Sequence, residues 1–127
     1  MSPLSVRIEE DRNLTREEFV VIRWLLEHAA RDNSTFVEQL EFAKVVARCG
    51  CGCASVDFSI NGVRPPVTAG MAMIADFQWH NEKGHLQGAY VFERNGLLAG
   101  LDLWSIDGQS TPDAMPPIDK LIPLRVS

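Results

Sequence analysis

Leu86-Gln87-Gly88-Ala89-Tyr90-Val91-Phe92-Glu93-Arg94-Asn95-Gly96-Leu97-Leu98-Ala99-Gly100-Leu101-Asp102-Leu103-Trp104 is the stretch that decides the fold. Asn95-Gly96 is the pair that a type I′ turn demands, because both of its central residues need positive φ. The flanking residues are rich in aromatic and β-branched side chains. Residues 86–94 and 97–106 are therefore expected to pair as an antiparallel hairpin.

The same period extends upstream. Met71, Met73, Ala75, Phe77 and Trp79 alternate with other residues, and Asn81-Glu82-Lys83-Gly84 offers a further turn. Val56, Phe58 and Ile60 alternate with Ser55, Asp57 and Ser59, which gives one apolar and one polar face. Val45 and Val46 begin the strand-rich part. Before Lys44 the period is helical. Thr15-Arg16-Glu17-Glu18 is a capping box, followed by Phe19, Ile22, Leu26 and Ala29 on one face, and the helix is expected to end near Arg31. Thr35-Phe36-Val37-Glu38 repeats the capping pattern ahead of Leu40 and Ala43.

Helices followed by strands with short turns point to an α+β fold. The expectation is two N-terminal helices packed on one face of a four- or five-stranded antiparallel meander sheet. One domain spans 1–127, with 1–13 as an arm or edge strand. Residues 107–127 form a proline-rich tail in which 121–126 adds a short edge strand.

Twelve basic against seventeen acidic residues give a net charge of −5. The surplus is spread along the chain, and concentrated Lys and Arg are missing, so nucleic-acid binding is disfavoured. An acidic surface suits a basic protein partner. The start is not read as a signal peptide, and no apolar run is long enough for a membrane helix. With three cysteines, an odd number, and no export signal, the expectation is a reducing cytoplasm.

Those cysteines are crowded as Cys49-Gly50-Cys51-Gly52-Cys53. Three thiolates make a partial zinc site, with His28, His80 or His85 as the fourth ligand. The C-x-C spacing is tighter than a zinc knuckle, and an extended chain would hold alternate Cα atoms ~6.5–7 Å apart. Only a fold-back at the glycines brings the sulfurs together. A redox motif of the C-x-x-C kind at a helix start does not fit. The plainest reading is a Gly-rich corner whose small thiols pack as hydrophobes.

His80 and His85 flank a turn and are candidates to face each other across it. With a carboxylate they suggest a hydrolase as a further alternative. Asp57, Asp76, Glu93 and Asp102 fall inside expected strands, where Asp is depleted. Asp76 and Asp102 alternate with the apolar stripes and so lie on the opposite face. Trp104 joins them there, and Trp79 does not. Carboxylates with a Trp on an open sheet face are candidates for partner binding; the plain alternative is a solvated face that resists aggregation.

Val46-Ala47-Arg48-Cys49-Gly50-Cys51-Gly52-Cys53-Ala54-Ser55-Val56-Asp57-Phe58, the Leu14-Thr15-Arg16-Glu17-Glu18 helix start and the late Gly100-Leu101-Asp102-Leu103-Trp104-Ser105 strand resemble a group of small bacterial proteins. That group pairs an LTxEE helix with an RCxCGCxS(V/I)DF segment. The late strand is also similar to strands of immunity proteins in bacterial toxin systems. The resemblance brings no activity with it, so no residue role is carried over. The expected function is a non-enzymatic cytosolic binding module of immunity or inhibitor type. It would mask a basic toxin or effector with Asp57, Asp76, Glu93, Asp102 and Trp104, without a cofactor. A small zinc protein is the alternative, and an exposed strand edge is compatible with a homodimer.

Overall fold

The structure is a computed structural model that describes residues 7–124. The elements run β1 (Arg7–Asn13), α1 (Arg16–His28), α2 (Ser34–Leu40), β2 (Ala43–Cys49), β3 (Val56–Ile60), β4 (Met71–His80), β5 (Leu86–Arg94) and β6 (Leu97–Ser105). A 3-10 turn (Ile118–Lys120) and β7 (Ile122–Pro123) follow. The fold is α+β, as expected, but the antiparallel sheet has seven strands rather than four or five, in the order β1-β2-β3-β6-β5-β4-β7.

The extra strands lie at the edges, where sequence patterns are weakest. The arm is a strand from Arg7 onward; Val6 lies outside the described residues. Its charged sequence is tolerated because an edge strand has one neighbour only and charge discourages further pairing. At the other edge Pro123 lies opposite Phe77, which is allowed because an edge strand leaves one row of backbone groups unpaired.

The sheet is also not one meander. Strands β1-β2-β3 form one antiparallel set and β4-β5-β6 another. They join where β3 meets β6, through only Val56↔Leu101 and Asp57↔Gly100. Beyond that short ladder a side chain continues the pairing. Ser55 Oγ accepts from the Leu103 N–H at 2.8 Å and donates to the Leu103 carbonyl at 3.3 Å.

Helix α1 begins as its sequence demands. Thr15 Oγ1 accepts from the Glu18 N–H, and a Glu18 carboxylate oxygen accepts from the Thr15 N–H. It ends at His28, earlier than the periodicity suggested, because Ala29 is extended. The His28 ring stacks on Trp24 at 4.0 Å. The second capping pattern is not realised, since Thr35 lies inside α2 and Asn33 is the N-cap residue. Asn33 instead turns its amide inward, donating to the carbonyls of Leu26 and Ile74.

Both helices lie on one face of the sheet. Val21, Ile22, Leu25 and Leu26 of α1, with Phe36 and Leu40 of α2, share a core with Phe58, Phe77, Val91 and Leu101. Each fully buried Leu or Ile stabilises the fold by roughly 1.5–3 kcal/mol relative to exposure. Gln39 locks α2 to the tightest hairpin. Its amide donates to the Gly96 carbonyl at 3.0 Å, and its oxygen accepts from the Leu98 N–H at 2.7 Å. Among the described residues no helix is long and apolar enough to cross a membrane.

One stripe departs from expectation. A bulge between Met73 and Ala75 shifts the phase of β4. Ala75, Phe77 and Trp79 stay in the core, whereas Met71 and Met73 are exposed.

Candidate functional site

The face of the sheet away from the helices is built in three rows. Residues opposite each other on antiparallel strands share a face, so the register defines the surface. Ile122, Gln78, Gly88 and Trp104 make the first row, and Asp76, Tyr90 and Asp102 the second. Met73, Phe92, Gly100 and Asp57 make the third.

Two glycines shape this surface. A Cβ on Gly88 would lie 2.5 Å from Trp104 Nε1, and one on Gly100 would lie 2.7 Å from both the Phe92 ring and the Val56 carbonyl oxygen. The glycines let the two rings lie flat on the sheet. Phe92 is buried, while Trp104 stays 41% exposed; Ile122 and Met73 are 51% exposed. Three exposed apolar side chains therefore frame the carboxylate row. Tyr90 donates its phenol proton to Asp102 Oδ2 at 2.5 Å, which with burial raises the Tyr90 pKa.

Four of the five predicted contact residues come together here: Asp57, Asp76, Asp102 and Trp104. Glu93 does not. Its register partner Leu98 is in the core, and its carboxylate accepts from the Gly96 N–H at 2.8 Å. It serves the turn, not the face. Tyr90, Gly88 and Gly100 were missed by the sequence reading. Glycine inside a strand is itself a signal of close approach, and both glycines carry it.

Burial raises the pKa of Asp57. Asp102 adds to the shift, while Arg7, 3.4 Å away, Arg94 and Arg64 oppose it. Burial alone raises Asp76. Both carboxylates are held where ionisation is penalised.

The cysteines lie at the end of β2 and in the loop after it. The fold-back that an extended chain lacks occurs at Gly52, whose φ is +96°. All three sulfurs lie within 4.8 Å of one another, so the cluster can hold a metal ion. Cys49 Sγ accepts from the Cys51 N–H at 3.3 Å, and Cys51 Sγ from the Cys53 N–H at 3.4 Å. The Cys51 and Cys53 sulfurs are 2.8 Å apart. Burial, then the neighbouring thiols, push Cys49 up to about 12. Burial also works upward on Cys51, but hydrogen bonds from the Cys49 and Cys53 thiols and the Cys53 N–H bring it below the ordinary thiol value. Cys51 thus ionises more readily than Cys49. All three are free thiols, with Cys51 exposed and the others half-buried. Arg48, next to Cys49 in the sequence, is paired with Glu10 at 2.8 Å.

The Cys53 thiol donates to Ser55 Oγ at 3.3 Å. Through Ser55 the loop is tied to the Leu103 backbone, between Asp102 and Trp104.

Among the described residues none of the three histidines joins the cysteines. His28 stacks on Trp24, and His80 faces Leu86 in the register. His85 Nδ1 lies 3.0 Å from Ser110 Oγ. The two hairpin histidines therefore do not face each other. Ser110 Oγ also accepts from Asn81 Nδ2 at 3.2 Å and Gln87 Nε2 at 3.1 Å. Two amide donors occupy the oxygen, and the group fastens the proline-rich tail to the β4–β5 hairpin beside an open cleft of about 580 Å³.

Compared with protein-family models, curated proteins and solved structures, the chain finds no match. The resemblance read from Val46 to Phe58 gains no support there, and the functional reading rests on the chemistry of the open face and the thiol loop.

Proposed function

We propose that the protein is a non-enzymatic binding module of inhibitor or immunity type that takes a basic protein segment on the helix-free face of its sheet. The observation that carries this reading is the row of Asp76, Tyr90 and Asp102 framed by the exposed Trp104, Ile122 and Met73. Carboxylates supply charge complementarity to Lys and Arg, and the aromatic and apolar side chains supply the desolvated contacts that hold a partner. The net charge of −5 favours the same class of partner and steers its approach.

The reading is tested with a random peptide library displayed on phage. Selected binders are expected to be enriched in Lys and Arg, to associate more slowly as salt rises, and to lose binding to Trp104→Ala and to Asp76→Lys with Asp102→Lys. Binders of neutral composition, or binders indifferent to these variants, would sink it. Affinity is also expected to fall as the pH drops. A cation needs ionised carboxylates, and Asp57 and Asp76 take up protons above their ordinary value of 3.8.

The convergence of three sulfurs favours a second reading, a thiolate metal site with zinc as occupant. Three thiolates would hold the zinc and solvent would fill the fourth position. Elemental analysis of untagged protein purified under reducing conditions tests it. Near one zinc per chain, lost in Cys51→Ser, supports zinc. No metal, with three titratable thiols, makes the cysteines packing residues.

A further inference from the structure

We propose that Cys49, Cys51 and Cys53 form a three-coordinate site for a soft monovalent cation, copper(I). The proposal rests on the metal reading of the loop given above and names a different ion for it.

Donor chemistry comes first. The three ligands are all sulfur, and thiolate sulfur suits copper(I), as it also suits zinc. Ligand number separates the two. Three sulfurs gather within 4.8 Å, and among the described residues no histidine or carboxylate joins them. Copper(I) is satisfied by two or three thiolates, whereas a structural zinc takes four ligands.

The size also fits. Three sulfurs at ~2.3 Å from a common centre stand ~4 Å apart. The Cys51–Cys53 pair, at 2.8 Å, has to open by only about 1 Å to reach that spacing. Each sulfur has an outer contact in place: the Cys51 N–H on Cys49, the Cys53 N–H on Cys51, and Ser55 Oγ beside Cys53. Ser55 is itself anchored to Leu103, and such outer contacts orient metal ligands and tune their basicity. The Ala54 N–H, bonded to the Pro112 carbonyl at 3.0 Å, and the Cys49 N–H, bonded to the Ser55 carbonyl at 3.3 Å, close the loop. Because Cys51 is exposed, a bound ion meets solvent and can be exchanged with another thiolate.

The test uses the full-length reduced protein under anaerobic conditions. Copper(I) is titrated in competition with a chromophoric copper(I) chelator, and zinc in a parallel titration with a zinc chelator. X-ray absorption at the copper edge counts the sulfur neighbours. One copper(I) per chain with three sulfur neighbours is expected. Cys51→Ser and Cys53→Ser are expected to weaken it by more than about 100-fold, beyond the loss of an outer contact, with unchanged circular dichroism. If a variant fails to fold, the sulfur count in the natural protein decides, and two or fewer overturns the proposal. Zinc bound one to one and not displaced by copper(I) overturns the ion and leaves the metal reading standing. Neither ion bound, with three titratable thiols, overturns both.

Discussion

Two groups of carboxylates in this molecule have opposite fates. At the corner where β1 meets α1, Glu18 is buried, yet it accepts from both terminal nitrogens of Arg12, at 2.9 and 3.0 Å, and from the Thr15 N–H. Burial alone would raise its pKa, but these donors outweigh it and hold it below the ordinary value. Glu10, bonded to Arg12 and Arg48, is lowered too. On the open sheet face Asp57 and Asp76 are raised by burial. The corner uses its charges to fasten the chain. On the face, desolvation works against the ionised form of Asp57 and Asp76.

The largest expected effect comes from the corner. Glu18→Ala removes the carboxylate half of the capping box and the paired bonds from Arg12, which keeps Glu10, and is expected to destabilise the fold by about 3 kcal/mol, read from the urea midpoint. Gly100→Ala comes next, at about 2 kcal/mol, because its Cβ would meet the Val56 carbonyl as well as Phe92. The Val56 carbonyl cannot move without parting β3 from β6.

Asp57→Asn sharpens the contrast. It is expected to leave stability at pH 7 unchanged or to raise it by up to about 1 kcal/mol, since the Arg7 pair is half-exposed and worth little. The pH dependences have opposite signs. A lowered carboxylate such as Glu18 stabilises the fold above its unfolded pKa, and that contribution is lost as the pH falls through its folded pKa. A raised carboxylate such as Asp57 penalises the fold above its folded pKa, and the penalty disappears as the pH falls through it. At neutral pH the urea midpoint of Glu18→Gln is expected below that of the natural chain and that of Asp57→Asn at or above it, and both differences are expected to shrink as the pH falls.

The smallest effect on stability belongs to Gly88→Ala. Its Cβ would meet only the exposed Trp104 side chain and Ile106, so a change below about 1 kcal/mol is expected. Trp104 must leave the face, however, and peptide capture should weaken while the urea midpoint holds. A midpoint shift as large as that of Gly100→Ala would remove the distinction between the two glycines.

Much of this was legible because it is local. The capping box at Thr15, the Asn95-Gly96 turn and the alternation that sets Asp76, Asp102 and Trp104 apart from the core all depend on neighbours within a few residues. What escaped depends on distant partners. The pairing of β3 with β6 and the bulge that exposes Met71 and Met73 leave no local mark, and the segment before α1, read as an arm or an edge strand, gave no sign of its partner. The second capping pattern misled because α2 begins earlier, at Ser34, and takes Thr35 into the helix. Glu93 was chosen as a carboxylate in a strand, but it alternates with Tyr90 and Phe92 and so falls on the other side of β5. The cysteine spacing argued against convergence until the φ of Gly52 resolved it.

The narrow junction between β3 and β6 bears on how the chain folds. Strands β4, β5 and β6 are consecutive hairpins, so their contacts close short loops and form early. In the β1-β2-β3 set β2 and β3 are joined by the short thiol loop, but β1 pairs with β2 across both helices and β3 meets β6 across the β4-β5 hairpin, so the set closes long loops. It therefore docks late, along two residue pairs and the hydroxyl of Ser55. The same line is the natural place for sub-global opening in the native state. Amide hydrogen exchange there would part Asp57 and the thiol loop from Trp104 while each hairpin set stayed whole. The open face and the thiol loop thus meet at one seam, and a partner that touched both Asp57 and Trp104 would also clasp it.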